Sequence, residues 1–374
     1  MKKHKVKCLI TSTMVFASLF SSTVITKAEV TSNTSQQNAT TTTNQLTLND
    51  MPSNLKSSIE WVWNNRILKE GSTKRKNLIF DQIYAGKGTL NYIVRWQSNK
   101  SVTLQQRKDM ATMISRQINN WTKSLKGYDG WPYGDITVKI VGWACADPSL
   151  ILNKQSDEIV YTSYITDDLS TTDSSIPTKL PIAPSSISRF DHFQDSNYSY
   201  PGGLDKRFDM YLWGTSNLRG GAGGDWGQRV SDEYILSSLA SNEAHIIEHE
   251  IGHAFSITDF YEDADRPPGG FPTNTIMWAG DSMTITEWDS WMLRYVWSQI
   301  KKDTSRFPAT IPVETTYKLG DVNKDGKITA LDLAFMKKLI LNGTNEADLT
   351  LYDMNKDGKF NALDLATLKR LLLS

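Results

Sequence analysis

The sequence predicts two domains of unlike kind: a large α+β domain with a mixed sheet, and behind it a small all-α domain. Three observations carry the prediction. Strand-like and helix-like segments alternate through most of the chain, a duplicated unit closes it, and the composition changes sharply between the two parts. All twelve tryptophans lie before the stretch Arg306–Gly320 and none follows it. That stretch is rich in proline and β-branched residues, and residues 306–317 read as a linker.

The chain opens with Lys2, Lys3, Lys5 and Lys7, continues through apolar and small residues to about Ile25, and ends this run with Thr26 and Ala28 at cleavage-site spacing. Residues 1–28 therefore read as a signal peptide, and the protein as secreted. The run is rich in Ser and Thr and barely long enough to span a bilayer, which argues against an anchor. Cys8 precedes it, so lipid attachment is not expected. Removing residues 1–28 takes away Lys2, Lys3, Lys5, Lys7 and Lys27 and no acid, so the balance of 41 basic and 41 acidic residues becomes 36 to 41. A mildly acidic protein is a poor partner for nucleic acid or an anionic membrane. Cys145 is then the only cysteine, without an internal disulfide partner, and reads as a buried structural thiol.

Residues 29–46, polar and repetitive, read as a disordered spacer, and compact structure is expected from about Leu46, with the large domain at 47–305. Its strands are expected at Leu90–Ser98, Asp135–Ala146, Glu158–Ile165 and Phe208–Gly214, where β-branched and aromatic residues gather. Leu104–Leu125 has helical periodicity, with Met110, Met113, Ile114 and Ile118 on one face. Glu233–Phe255 reads as a second, single helix, and the run from Met283 to Trp297 as a closing one. The glycine-rich stretch Gly220–Val230 reads either as a cleft lining or as a flexible surface loop.

The C-terminal repeat pairs a segment beginning at Asp321 with one beginning at Asp353. Each starts as a calcium loop. Oxygen side chains stand at loop positions 1, 3, 5 and 12, namely Asp321, Asn323, Asp325 and Asp332, then Asp353, Asn355, Asp357 and Asp364. Glycine follows at position 6 (Gly326, Gly358), and the carbonyls of Lys327 and Lys359 add a ligand each. Calcium takes six to eight oxygens, and this spacing wraps them around one point. Each loop runs into one helix, with Leu333, Met336, Leu339 and Ile340, and Leu365, Leu368, Leu371 and Leu372, as apolar positions. No helix precedes the first loop, which excludes an EF-hand pair. Over 318–374 the chain resembles the type I dockerin module of clostridial cellulosomes. The resemblance implies calcium-dependent folding around two ions and a cohesin module of a scaffolding protein as partner. It places Ala330, Leu331, Ala362 and Leu363 where partner choice is tuned, with Lys337, Lys338, Lys369 and Arg370 as a charged rim.

Three of the five histidines fall in His245–His253, four residues apart. On a helix His249 and His253 aim ring nitrogens at one zinc ion, and Glu250 stands where a carboxylate reaches a water on it, the His-Glu-x-x-His pattern. An overlapping inverted frame uses His245, His249 and Glu248. The continuation resembles metzincin zinc peptidases, which belong to the zincin class, and implies Asp259 as third ligand and Met277 as the methionine turn. Ser256 occupies the place of that family's turn glycine, and Glu262, Asp263 and Glu287 are alternative third ligands. Trp278 follows Met277 where some relatives carry a helper tyrosine. The resemblance implies an endopeptidase that uses Glu250 as general base on a protein or glycoprotein substrate. The wording also resembles secreted microbial proteins of which some are labelled cellulose-binding. Two other classes stay open: a carbohydrate-binding or polysaccharide-degrading component with tryptophans as sugar platforms, and a zinc-stabilised interaction protein. Substrate pockets are expected in the loops 167–188 and 266–275.

Overall fold

The computed structural model describes residues 45–166, 175–309, 319–322, 328–341 and 349–373. The expected signal, the spacer through residue 44, the linker from residue 310, part of the loop 167–188, and the ligands Asn323, Asp325 and Lys327 lie outside the described residues. The first described residue is Gln45, and contacts group residues 45–374 as one unit.

The large domain opens with helices α1 (Ser53–Val62) and α2 (Ile79–Ala85), which were not expected from the sequence. Strand β1 (Thr89–Gln97) follows, then helix α3 (Leu104–Thr122) and strand β2 (Thr137–Ala144), all within a few residues of expectation. A capping box starts α3: Gln106 N donates to Thr103 Oγ1 at 3.2 Å, and Thr103 N donates to Gln106 Oε1 at 2.9 Å. The face carrying Met110, Met113, Ile114 and Ile118 is buried, as its periodicity requires.

The expected strand Glu158–Ile165 is two short ones. β3 (Val160–Tyr161) runs parallel to β2, while β4 (Tyr164–Thr166) leaves the sheet to pair with β5 (Lys179–Pro181). β6 (Met210–Thr215) lies on the other side of β1, parallel to it. The glycine-rich stretch is an ordered hairpin rather than a loose loop. It consists of β7 (Gly221–Gly224) and β8 (Gly227–Ser231). The six-stranded sheet has the order β3-β2-β1-β6-β8-β7, parallel throughout except for the antiparallel edge β7. A mostly parallel sheet with helices packed on it fits the α+β class. β1, at its centre, is buried along nearly its whole length.

The single helix expected over Glu233–Phe255 is broken. α4 (Asp232–Ser237) and α5 (His245–Ala254) are separate, joined by residues 238–244. Side chains of α3 bind the main-chain groups that the break releases. Arg116 Nη1 donates to Ser241 O at 2.5 Å, Asn120 Nδ2 to Asn242 O at 2.8 Å, and Ala244 N donates to Gln117 Oε1 at 2.9 Å. Serine and asparagine in the joint favour such a break over continued helix. The last helix, α6 (Glu287–Ile300), is tied to α1 by Trp288 Nε1 donating to Ser58 Oγ at 2.9 Å.

No tryptophan is exposed. Trp96, Trp121, Trp143, Trp288 and Trp297 are at most 2 % exposed, so their place is the core and not a sugar platform. The C-terminal part has a core of its own around Val322, Met336 and Leu368. It holds α7 (Ala330–Leu341), α8 (Leu349–Tyr352) and α9 (Ala362–Leu373). Of the apolar positions expected there, Ile340 and Leu371 stand outside this core, Leu371 being 49 % exposed. Among the described residues no helix is long and apolar enough to cross a membrane.

Candidate metal centre

Helix α5 presents His249 and His253 one turn apart, with their rings nearly perpendicular and 4.9 Å between centroids. His249 Nδ1 lies 2.8 Å from Ile276 O, and His253 Nδ1 lies 2.9 Å from Ile257 O. Each of those nitrogens faces an acceptor and so carries the ring hydrogen. That leaves both Nε2 atoms as bare lone pairs, the form in which imidazole binds a metal.

A third donor meets them. Asp259 Oδ1 stands 3.0 Å from His249 Nε2 and 3.4 Å from His253 Nε2, buried and without an aligned hydrogen bond. Two ring nitrogens and a carboxylate oxygen thus converge, with the Tyr261 hydroxyl beside them 3.2 Å from His249 Nε2, and two imidazoles with one carboxylate suit zinc. The electrostatics agree. Burial works against charge on both groups, yet it is outweighed: His249 is raised by Asp259 and Ile276 O, and Asp259 is held well below the usual carboxylate range by the two imidazoles. The cluster asks for a cation, and the donor set fits zinc.

The helix ends so as to deliver Asp259. Ile257 N donates to Gly252 O at 3.1 Å, and Ser256 takes φ 72°, the left-handed turn otherwise given to glycine. Serine accomplishes the turn with its hydroxyl bonded to that of Ser72. Arg66 then holds the returning chain, Nη1 donating to Asp259 O at 3.0 Å and to Asp265 O at 3.1 Å. Met277, fully buried, lies against the helix at Gly252, where a Cβ would stand 2.5 Å from its sulfur. The turn that carries it is fastened by the buried Asp289, which accepts from Ile276 N at 3.0 Å and Thr275 Oγ1 at 2.5 Å.

Glu250 stands beside the cluster and outside the donor triangle. Ligand atoms of His249, Glu250 and His253 lie within 4.8 Å of one another. The nearest approach of Glu250 is Oε2 to His253 Nε2 at 3.9 Å, longer than either Asp259 distance. Asp259 is therefore the better third ligand and Glu250 the free carboxylate. Burial raises the Glu250 carboxyl towards the range of a useful base, against the pull of the two histidines.

The other candidates are engaged elsewhere. His245 Nδ1 lies 3.3 Å from Tyr234 Oη, and Glu248 is buried against α3, accepting from Asn120 Nδ2 at 2.6 Å, with its carboxyl pushed up to about 7 by that burial. Neither joins the cluster. Asp263 pairs with Arg266 at 2.8 Å, Glu262 caps its own turn, and Glu287 is exposed at the start of α6.

The sequence reading missed two features of the site, Tyr261 and Arg66, whereas residues 221–225 line the cleft as one of the two readings of Gly220–Val230 has it. Tyr261 Oη lies 3.2 Å from His249 Nε2, with the two rings parallel; its place two residues beyond Asp259 was the available signal. Arg66 had none, being remote in sequence. Gly221 and Gly223 admit Glu250: a Cβ on Gly221 would stand 2.8 Å from Glu250 Cδ, and one on Gly223 would stand 2.7 Å from Glu250 Cβ. The edge strand β7 therefore runs directly against the centre. Together these residues border a cleft of about 530 Å³.

In the C-terminal repeat the second loop is fully described. Asp353 accepts from Asp357 N at 3.0 Å and Gly358 N at 2.8 Å, and Asp364 accepts from Asn355 N at 3.2 Å and Asn361 N at 2.8 Å. Main-chain amides thus gather the carboxylates at positions 1 and 12 around a turn with Gly358 at φ 78°. In the first loop Asp332 accepts from Val322 N at 2.9 Å and Thr329 N at 2.7 Å. Ala330, Leu331, Lys337 and Lys338, and Ala362, Leu363, Lys369 and Arg370, are all exposed, with Leu331 at 66 % and Leu363 at 61 %.

Residues 319–373 match the family model of the dockerin type I domain. The C-terminal module is a dockerin, a domain that binds calcium and docks onto cohesin modules of scaffolding proteins in the extracellular cellulosome. Comparison with curated proteins and with solved structures gave no match.

Proposed function

We propose that residues 47–305 are a zinc endopeptidase of zincin type, secreted behind the signal at 1–28 and carried on the dockerin. The observation that carries the proposal is the convergence of His249 Nε2, His253 Nε2 and Asp259 Oδ1 beside the buried carboxylate of Glu250. His249, His253 and Asp259 would hold the zinc, which would supply Lewis-acid polarisation when bound. Glu250 accepts the proton of the attacking water and passes it to the leaving amine. Tyr261, exposed at the cleft with its hydroxyl near His249, is placed to donate a hydrogen bond to the oxyanion. The outer edge of β7 offers main-chain groups to an extended protein or glycoprotein strand.

The test compares the full chain with Glu250→Gln for zinc content and for cleavage of casein and a peptide library. One zinc per chain in both, with turnover lowered on the order of a thousandfold in the variant, is the expected result. Zinc without cleavage in either protein overturns the peptidase reading, and absence of zinc overturns the metal site. A Tyr261→Phe chain should keep its zinc and lose about tenfold to a hundredfold in kcat, with KM little changed.

A further inference from the structure

Two arginines line the cleft, and they are in different states. Arg66 is fully committed: Nη1 serves Asp259 O and Asp265, while Nε and Nη2 bind Glu70 at 3.2 and 3.0 Å. Arg75 makes one ion pair, Nε to Asp225 Oδ2 at 3.0 Å. Among the described residues its two terminal nitrogens meet no hydrogen-bond partner, and its side chain is 46 % exposed.

The guanidinium is nevertheless held in place. Its carbon lies 4.9 Å from the ring centre of Phe190 and 5.7 Å from that of Phe193. Asp225 beneath it is buried and fixed in turn, since Gln82 Nε2 and Asn77 Nδ2 donate to Asp225 O at 2.8 and 3.2 Å. The Arg75 carbonyl accepts from Arg306 Nη2 at 3.2 Å, which anchors the main chain. A planar fork, oriented through Nε and aromatic faces with its outer edge bare, matches a carboxylate bidentately. Asp225 also forms the turn that joins β7 to β8, so this fork stands at the end of the strand that crosses Glu250.

We infer that Arg75 is a substrate-recognition residue that binds a peptide carboxylate in the cleft, and that the chain prefers acidic peptides. The carboxylate belongs either to an Asp or Glu side chain or to the peptide's own C-terminus. This inference rests on the peptide-cleft reading above, but its test does not need turnover.

Binding is measured by calorimetry on the zinc-loaded full chain carrying Glu250→Gln, with and without Arg75→Gln. The probes are acetylated alanine hexapeptides with one glutamate at each position in turn and their glutamine counterparts, each with a free or an amidated C-terminus. At least one carboxylate probe should bind about tenfold or more tightly than its neutral partner, the worth of one charge-assisted pair, and Arg75→Gln should bring that ratio near one. Preference among amidated peptides assigns a side-chain carboxylate; preference only for free C-termini assigns the terminus. Equal binding of acidic and neutral probes overturns the inference, and so does a preference that survives Arg75→Gln in a chain with unchanged zinc content. Cleavage by the Glu250 chain without acidic preference removes this inference alone. Acidic preference without cleavage upholds the carboxylate site and removes the peptidase reading.

Discussion

At Ser256 one residue does the work of a glycine. Its φ of 72° costs an L-residue roughly 1–2 kcal/mol, and the Ser72 hydroxyl and the Ile257–Gly252 bond hold it there. Ser256→Gly should therefore keep one zinc per chain, whereas the β-branched Ser256→Val should lose about 1–3 kcal/mol in urea unfolding and part of its zinc. A Val variant as stable and as zinc-replete as wild type would show that the turn does not place Asp259. Cys145 tests burial in another way. Burial pushes its thiol up to about 11 and Asp147 O accepts its hydrogen, so at pH 8 its thiolate is on the order of a hundredfold scarcer than that of a free cysteine. In a Cys8→Ser chain, thiol reagents should label Cys145 only on unfolding, and labelling of native protein at the free-thiol rate would contradict its place in the core. Single residues were legible in the sequence where spacing encodes geometry: His249, His253 and Asp259 share one helix and the turn that ends it. Arg66, Arg75 and Tyr261 were not singled out. Only Tyr261, two residues beyond Asp259, left any local sign; the arginines reach the centre through tertiary packing, which sequence spacing does not record.

The element that shapes the centre most closely is β7, laid across α5 with glycines at 221 and 223 facing the Glu250 side chain. Glycine is needed for that approach, since a Cβ at 221 would occupy the place of the Glu250 carboxylate. Gly221→Ala should keep zinc, since the three atoms nearest the added Cβ all belong to Glu250, and lower kcat at least about tenfold by displacing the base. Undiminished kcat would mean that Glu250 tolerates the shift or is not the base. Gly252→Ala acts on the other face of the same helix, against Met277 and Trp121, and overpacking there should cost about 1–3 kcal/mol with cooperativity retained. The same elements show why the fold was only partly legible. Strands such as Leu90–Ser98 announce themselves by β-branched and aromatic content. A strand of sequence GAGG does not, because it is defined by what must fit beneath it. The helix expected over Glu233–Phe255 is two because α3 binds the main chain at its joint, a tertiary cause absent from the local pattern.

For the molecule as a whole, two kinds of donor set sit in one chain, and the metal chemistries proposed for them ought to separate. The centre on α5 offers two nitrogens and one oxygen, a set for a borderline metal such as zinc. The repeat offers oxygens alone, a set for calcium. A nitrogen chelator such as 1,10-phenanthroline competes for zinc and leaves an oxygen-bound calcium ion in place. Treating the full chain with it should abolish peptide cleavage while capture on an immobilised cohesin persists. Dialysis against EGTA followed by return of zinc alone should do the reverse, because the carboxylates of Asp353 and Asp364 lie 8 % and 0 % exposed and repel one another once the cation between them is gone. The stabilisation lost from the repeat follows mass action, about 4 kcal/mol if calcium stands a thousandfold above its dissociation constant. That is comparable with the roughly 3–5 kcal/mol that a core this small supplies in all, so its loss removes most of the module's stability. Far-UV circular dichroism should then show loss of α7 and α9 helicity, restored on adding calcium. If cleavage and capture instead fell together under either chelator, one metal would be supporting both domains, and the proposed division of the chain into a catalytic body and a docking module would have to be abandoned.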